Sequence, residues 1–125
     1  MSRTGQRAGS KDTSVAAVTL FEADVREKAY LMFRLTPATE ALTALSVEVK
    51  VHPDDTTWIT LASAAGDFTG PRGPIFGASG DLTTLAAAAT GWAIIQIAGF
   101  AKLRVQATAA GDGTCAYSFY AHGGS

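Results

Sequence analysis

The chain has 125 residues, of which 47% are hydrophobic and 17% charged, with a net charge of −1. That length gives one domain with enough apolar material for a core, and the near-neutral charge argues against nucleic acid or an anionic membrane surface as partner. A single cysteine, Cys115, excludes an intrachain disulfide and a cysteine-based zinc site, and no apolar run reaches the roughly 18 residues of a membrane span.

Residues 1–14 (MSRTGQRAGSKDTS) are polar, rich in Gly and Ser, and carry Arg3, Arg7 and Lys11 against one acid, Asp12. So few apolar side chains cannot order a segment by themselves. Two readings stand: a loose tail, or a basic arm that lies on a neighbouring subunit through Arg3, Arg7 and Lys11. The segment lacks the apolar stretch of a signal peptide, so the chain is expected to be made and used without Sec export.

Residues 15–23 (VAAVTLFEA) read as a first strand and 24–28 (DVREK) as a charged turn. Residues 29–36 (AYLMFRLT) alternate, with Ala29, Leu31, Phe33 and Leu35 on one face and Tyr30, Met32, Arg34 and Thr36 on the other. Pro37 ends this run, because proline cannot donate to a ladder. After a loop, residues 45–51 alternate again: Leu45, Val47, Val49 and Val51 face a core, and Ser46, Glu48, Lys50 and His52 face out. The PDDTT turn leads into WITL (58–61), where Trp58 is expected on the core edge.

Residues 62–90 are the least regular stretch, with Gly66, Gly70, Pro71, Gly73, Pro74, Gly77 and Gly80. Loops of this length usually serve function or a partner. Phe68, Ile75 and Phe76 within it either cap the open end of the core or contact another chain. Residues 81–89 (DLTTLAAAA) suit a short helix, with Leu82 and Leu85 three apart, or equally a strand. The last third, 92–122, holds three runs. Residues 102–108 and 115–122 alternate on either side of AAGDG (109–113), which reads as a hairpin turn. Cys115, Tyr117, Phe119 and Ala121 form the inner side of the last strand; Lys102 and Arg104 project to a solvated face.

Seven to eight short strands joined by turns predict an all-β fold, an antiparallel β-sandwich of jelly-roll type. A single sandwich domain over 15–125, with the 62–90 loop, follows the 1–14 arm. Trp58, Trp92, Phe33, Val47, Val49, Val105 and Phe119 are the expected core.

Chemistry-bearing clusters are few. His52, Asp54 and Asp55 share one turn; clustered carboxylates suit Ca²⁺, and the same residues suit turn formation by side-chain hydrogen bonds. Nucleophilic catalysis needs His52 or His122 beside a serine and an acid, and neither histidine sits in such a motif. No catalytic residue, metal site or cofactor is therefore expected. Tyr30, Met32, Arg34 and Tyr120 are different: aromatics, Met and Arg on the outer side of strands have the composition of an interface. With Arg3, Arg7, Lys11, Phe68, Ile75 and Phe76 they make up the candidate contact residues.

Three segments carry a resemblance: VEVKVHPDDTTWITL (47–61), GWAIIQIAGFAKLRVQAT (91–108) and CAYSFYA (115–121). Together they resemble small β-sandwich proteins of tailed-phage virions, whose patterns run S-x-D-G-T-x-W and then W-x-x-D-V-x-G-(F/Y)-x-x-x-R-V. Asp54 to Trp58 stand at the first pattern, with Asp55 where glycine is usual. Trp92, Gly99, Phe100, Arg104 and Val105 match the second. The resemblance implies a non-enzymatic capsid decoration, head-fibre base or tail accessory, made in the host cytoplasm and built into the virion. Its partners would be major capsid or tail subunits, in a homo-oligomer or a lattice. The same motifs are similar to carbohydrate-binding modules, which leaves a glycan-binding sandwich as the alternative, with Trp58 and Trp92 as its aromatic candidates.

Overall fold

The computed structural model describes residues 7–68, 71 and 73–123. They form an all-β sandwich of nine strands: β1 (Arg7–Thr13), β2 (Val18–Asp24), β3 (Tyr30–Pro37), β4 (Leu42–Lys50), β5 (Ile59–Ala62), β6 (Ile75–Ala78), β7 (Gly91–Gln96), β8 (Lys102–Ala109) and β9 (Gly113–His122). One sheet has five strands in the order β1-β9-β3-β7-β6; the other has four, β2-β8-β4-β5. Every pairing is antiparallel.

The topology is a long hairpin rolled up. Its tip is the turn between β4 and β5, and from there β3 pairs with β7, β2 with β8 and β1 with β9. Rolling brings β9 against β3 and β8 against β4, which splits the ribbon into two facing sheets. This is the jelly roll expected from the strand pattern, with β6 added at one edge. The core lies between the sheets. Leu31, Phe33 and Leu35 of β3, Leu45, Val47 and Val49 of β4, and Leu103, Val105 and Ala107 of β8 are buried in it at alternate positions. Phe21 anchors an aromatic cluster, stacked 4.2 Å from Phe119 and set edge-on 5.8 Å from Phe33.

Several expectations are corrected. The runs around AAGDG do not form a hairpin: β8 lies between β2 and β4, β9 lies between β1 and β3, and the link crosses from one sheet to the other. Alternation fixes which side of a strand is inward but says nothing about its neighbours. Within 1–14, residues 7–13 are not an arm. They form β1, laid along β9 from Arg7 opposite Phe119 to Thr13 opposite Gly113. Its backbone bonds supply what its polar side chains cannot, and Gly9 leaves room for Tyr117, whose Oη would stand 2.8 Å from an added β-carbon. The first core strand begins at Val18, and Val15 is exposed.

The 62–90 loop is partly structured. It holds a 3₁₀ turn (Ala65–Phe68) and β6 (Ile75–Ala78). Residues 81–89 form neither helix nor strand. There the Asp81 carboxylate accepts bonds from the Thr83 backbone N–H and from the Thr83 and Thr84 hydroxyls, which folds the chain and turns Leu82 into the core. Ala88 takes a positive φ of 64° while its N–H donates to the Pro37 carbonyl at 2.7 Å.

The two tryptophans are not core residues. β4 ends at Lys50, so Val51 is exposed, and Trp58 lies outside β5. Trp58 sits half-buried with the Arg104 guanidinium 4.4 Å and the Lys50 ammonium 4.7 Å from its ring centroid. Trp92 points to the outer side of β7, since Gly91, Ala93 and Ile95 hold the inner positions. Phe119 is partly buried.

Candidate functional site

The two sheets present opposite outer faces. On the four-stranded sheet polar side chains satisfy one another. Arg104 donates to Glu48 at 2.5 Å, Thr60 donates to the same carboxylate at 3.5 Å, and the Gln106 amide donates to Thr19 at 3.0 Å. Trp58 is held under two cations.

The five-stranded sheet is the reverse. Its strands β9, β3, β7 and β6 contain no carboxylate, with Arg34 and His122 as their ionisable bases. The register aligns their outward side chains in rows. His122, Tyr30 and Gln96 form one, Tyr120, Met32 and Ile94 the next, and Ser118, Arg34 and Trp92 the third. Side chains directly opposite on neighbouring strands lie close enough to form one continuous surface. Tyr30 stacks on His122 at 5.9 Å, and His122 packs 5.3 Å from Tyr120. Phe76 joins from β6, its ring edge-on to Tyr30 at 5.5 Å and 52% exposed. It points outward as the strand neighbour of buried Ile75, and the β6–β7 register slips between Ile75 and Gly77, which sets Gly77 opposite Ile94. Gly77 leaves space for the Trp92 indole, 3.5 Å from where a β-carbon would stand.

Two hollows mark this face. One of about 190 Å³ opens between β3 and β9, lined by Met32, Phe33, Arg34, Ser118, Phe119 and Tyr120. A wider one of about 410 Å³ lies at the end of the rows, against Tyr30, Gln96, Phe100 and Pro74.

Of the residues singled out in the sequence, Tyr30, Met32, Arg34, Tyr120 and Phe76 are brought together here. Phe68 and Ile75 are not: both are fully buried within the chain's own core and are unavailable as anchors for a neighbour. Arg7 and Lys11 are exposed on β1, on the side of Phe119 and Cys115 rather than with the rows. Arg3 lies outside the described residues. Trp92, Ile94 and Gln96 belong to the face and escaped the sequence, while His122 stands on the outer side that the alternation of the last strand gave it without being among the candidate contact residues. In 92–97 both alternating sets are apolar, so either parity fits a core.

The remaining clusters serve local structure. In the His52 turn, the Asp55 carboxylate accepts the His52 N–H at 3.2 Å, and His52 Nδ1 accepts the Asp54 N–H at 3.1 Å. No group of three or more His, Cys, Asp or Glu side chains suited to a metal is gathered among the described residues. Burial pushes the Cys115 thiol pKa up, which disfavours the reactive thiolate. No helix among the described residues is long and apolar enough to cross a membrane.

The crystal structure of the SPBc2 prophage-derived protein YomS aligns over 97% of this chain and 98% of that one, at a TM-score of 0.51 and 12% identity. The fold is shared with a prophage-derived protein. A chain from Bacillus endospore appendages, described as disulfide-linked pili, aligns over 94% of this chain and 88% of that one, at a TM-score of 0.44 and 12% identity. No protein-family model matches the sequence, and no curated protein matches it.

Proposed function

We propose that this chain is a non-enzymatic structural subunit of a phage particle, a capsid decoration or tail accessory protein that acts through subunit contacts. The observation that carries this reading is the outer face of the five-stranded sheet. Its aromatic, Met and Arg side chains stand in register across adjacent strands, in contrast with the internally satisfied face opposite. Interface hot spots are built from these residue types. The fold shared with a prophage-derived protein supports the same reading, as do the virion-like segments at 47–61 and 91–108. The partners would be capsid or tail subunits of the same particle. For a glycan-binding module Trp58 is a poor platform, since Lys50 and Arg104 already pack against its ring.

The test is incorporation. Particles from the lysate that makes this chain are banded by density and probed for it beside a Met32→Lys, Tyr120→Ser variant. Both positions point outward, so the variant keeps the thermal midpoint of the wild type. It should lose at least about tenfold in particle occupancy, as expected for a hot-spot pair. Wild-type chain found wholly in the soluble fraction, or specific retention on a glycan array that survives in the variant, would sink the reading.

A further inference from the structure

Resting on that reading, we propose that the hollow between β3 and β9 seats an aspartate or glutamate side chain of a different protein, received by Arg34 with Ser118 and Tyr120 beside it. Arg34 is exposed in the row formed with Ser118 and Trp92, and its guanidinium makes no hydrogen bond or ion pair with any described residue. The hollow of about 190 Å³ lies at its side, and Ser118 and Tyr120 line it with hydroxyl groups. A guanidinium presents a planar fork of donors that matches a carboxylate, and the apolar ground of Met32, Ile94 and Trp92 would exclude water from that pair once covered.

Charge decides the occupant. A two-fold pair of this chain through this face would set the same patch against itself. Strands β9, β3, β7 and β6 contain no acid, and the one acid of β1, Asp12, stands opposite Thr114, four residues along β9 from the Ser118 of the Arg34 row, so a pair centred on the rows would cover each Arg34 with no carboxylate to meet it. Burying an unpaired guanidinium is costly. A partner with an apolar patch and one projecting acid satisfies both features at once.

The experiment places a photo-crosslinking phenylalanine at Ile94, outside the hollow, and irradiates banded particles. The crosslinked peptide is expected from another particle protein and should contain an Asp or Glu. Arg34→Gln should lower occupancy about thirtyfold, the loss typical of truncating one member of a covered charge pair, while Arg34→Lys retains part of it. Arg34→Glu should be rescued by reversing the charge of the crosslinked acid. A crosslink to a second copy of this chain overturns the inference. So does wild-type occupancy of Arg34→Glu in particles that contain the chain, and that result leaves the structural-subunit reading standing. Absence of wild-type chain from the particles overturns both.

Discussion

Residues of one type take unlike roles here, and the roles predict unlike costs. Phe33 is 1% exposed and contacts Phe21 in the centre of the sandwich. Phe33→Ala should cost about 3–5 kcal/mol, the usual range for a deleted core aromatic. Trp58 is larger, yet its ring is held by two cation contacts on an outer face. At about 0.5–1 kcal/mol for each exposed contact, Trp58→Ala should cost about 1–2 kcal/mol. Urea unfolding of the two variants measures the difference; equal losses would mean that Trp58 is a core residue after all. Asp24 gives a pH test. The Arg26 side chain donates to its carboxylate, with a second bond from the Arg26 backbone, and holds its pKa below the ordinary value of 3.8. A carboxyl depressed in the folded state contributes stability above its unfolded pKa. That contribution is lost as pH falls from about 4 through the folded value. NMR titration should therefore show the Asp24 midpoint moving up in Arg26→Ala, with the stability difference between the two proteins vanishing at low pH. An unmoved midpoint would mean that the pair does not form in solution.

At the scale of elements, strands with a single apolar parity were legible. β3, β4 and β8 alternate so cleanly that their inner sides could be named from sequence, and they are the sides found buried. What stayed hidden has physical causes. β7 is apolar at both parities, which concealed Trp92 and Ile94 as outward residues. β1 has no apolar pattern, because it is ordered by backbone pairing to β9 at an edge where neither side is covered over Arg7 to Asp12. Half of the outer face could be named because β3 and β9 alternate; the half on β7 could not. The placement of β1 changes what truncation should do. Removing residues 1–12 deletes an edge strand rather than an appendage and bares the β9 edge beside Tyr117 and Phe119. Because the ordering cost of β1 offsets most of its net hydrogen bonding, stability should fall by only about 1–2 kcal/mol. The larger effect should be self-association through the bared edge, seen by light scattering. A truncated chain that stays monodisperse and as stable as the full one would show that β1 is not held on the sheet.

For the molecule as a whole, the sandwich class was readable from strand number and turn spacing, whereas the pairing of β8 and β9 was not. Two strands joined by a tight turn ordinarily pair with each other. Here each does better between two strands from the first half of the chain, since β8 gains β2 and β4, and β9 gains β1 and β3. The outcome is a molecule with two unlike outer faces, one of mutually bonded polar side chains and one of aligned aromatic, Met and Arg side chains, and the proposed subunit role would use that asymmetry to attach in a single orientation.

The rolled hairpin also sets the order in which the chain can fold. The β4–β5 turn joins neighbours in sequence, whereas Arg7 must find Phe119. Closing the larger loop costs more chain entropy before any contact offsets it, so folding should begin at the turn and zip outward, with β1 last. Folding in milliseconds to seconds is expected, as for other sandwiches dominated by distant contacts. Val47→Ala, beside the tip, should slow folding; Gly9→Ala, which crowds Tyr117, should leave the folding rate alone and speed unfolding. Chevron plots of the two variants measure this, and the reverse assignment of the rates would place the nucleus at the chain ends instead.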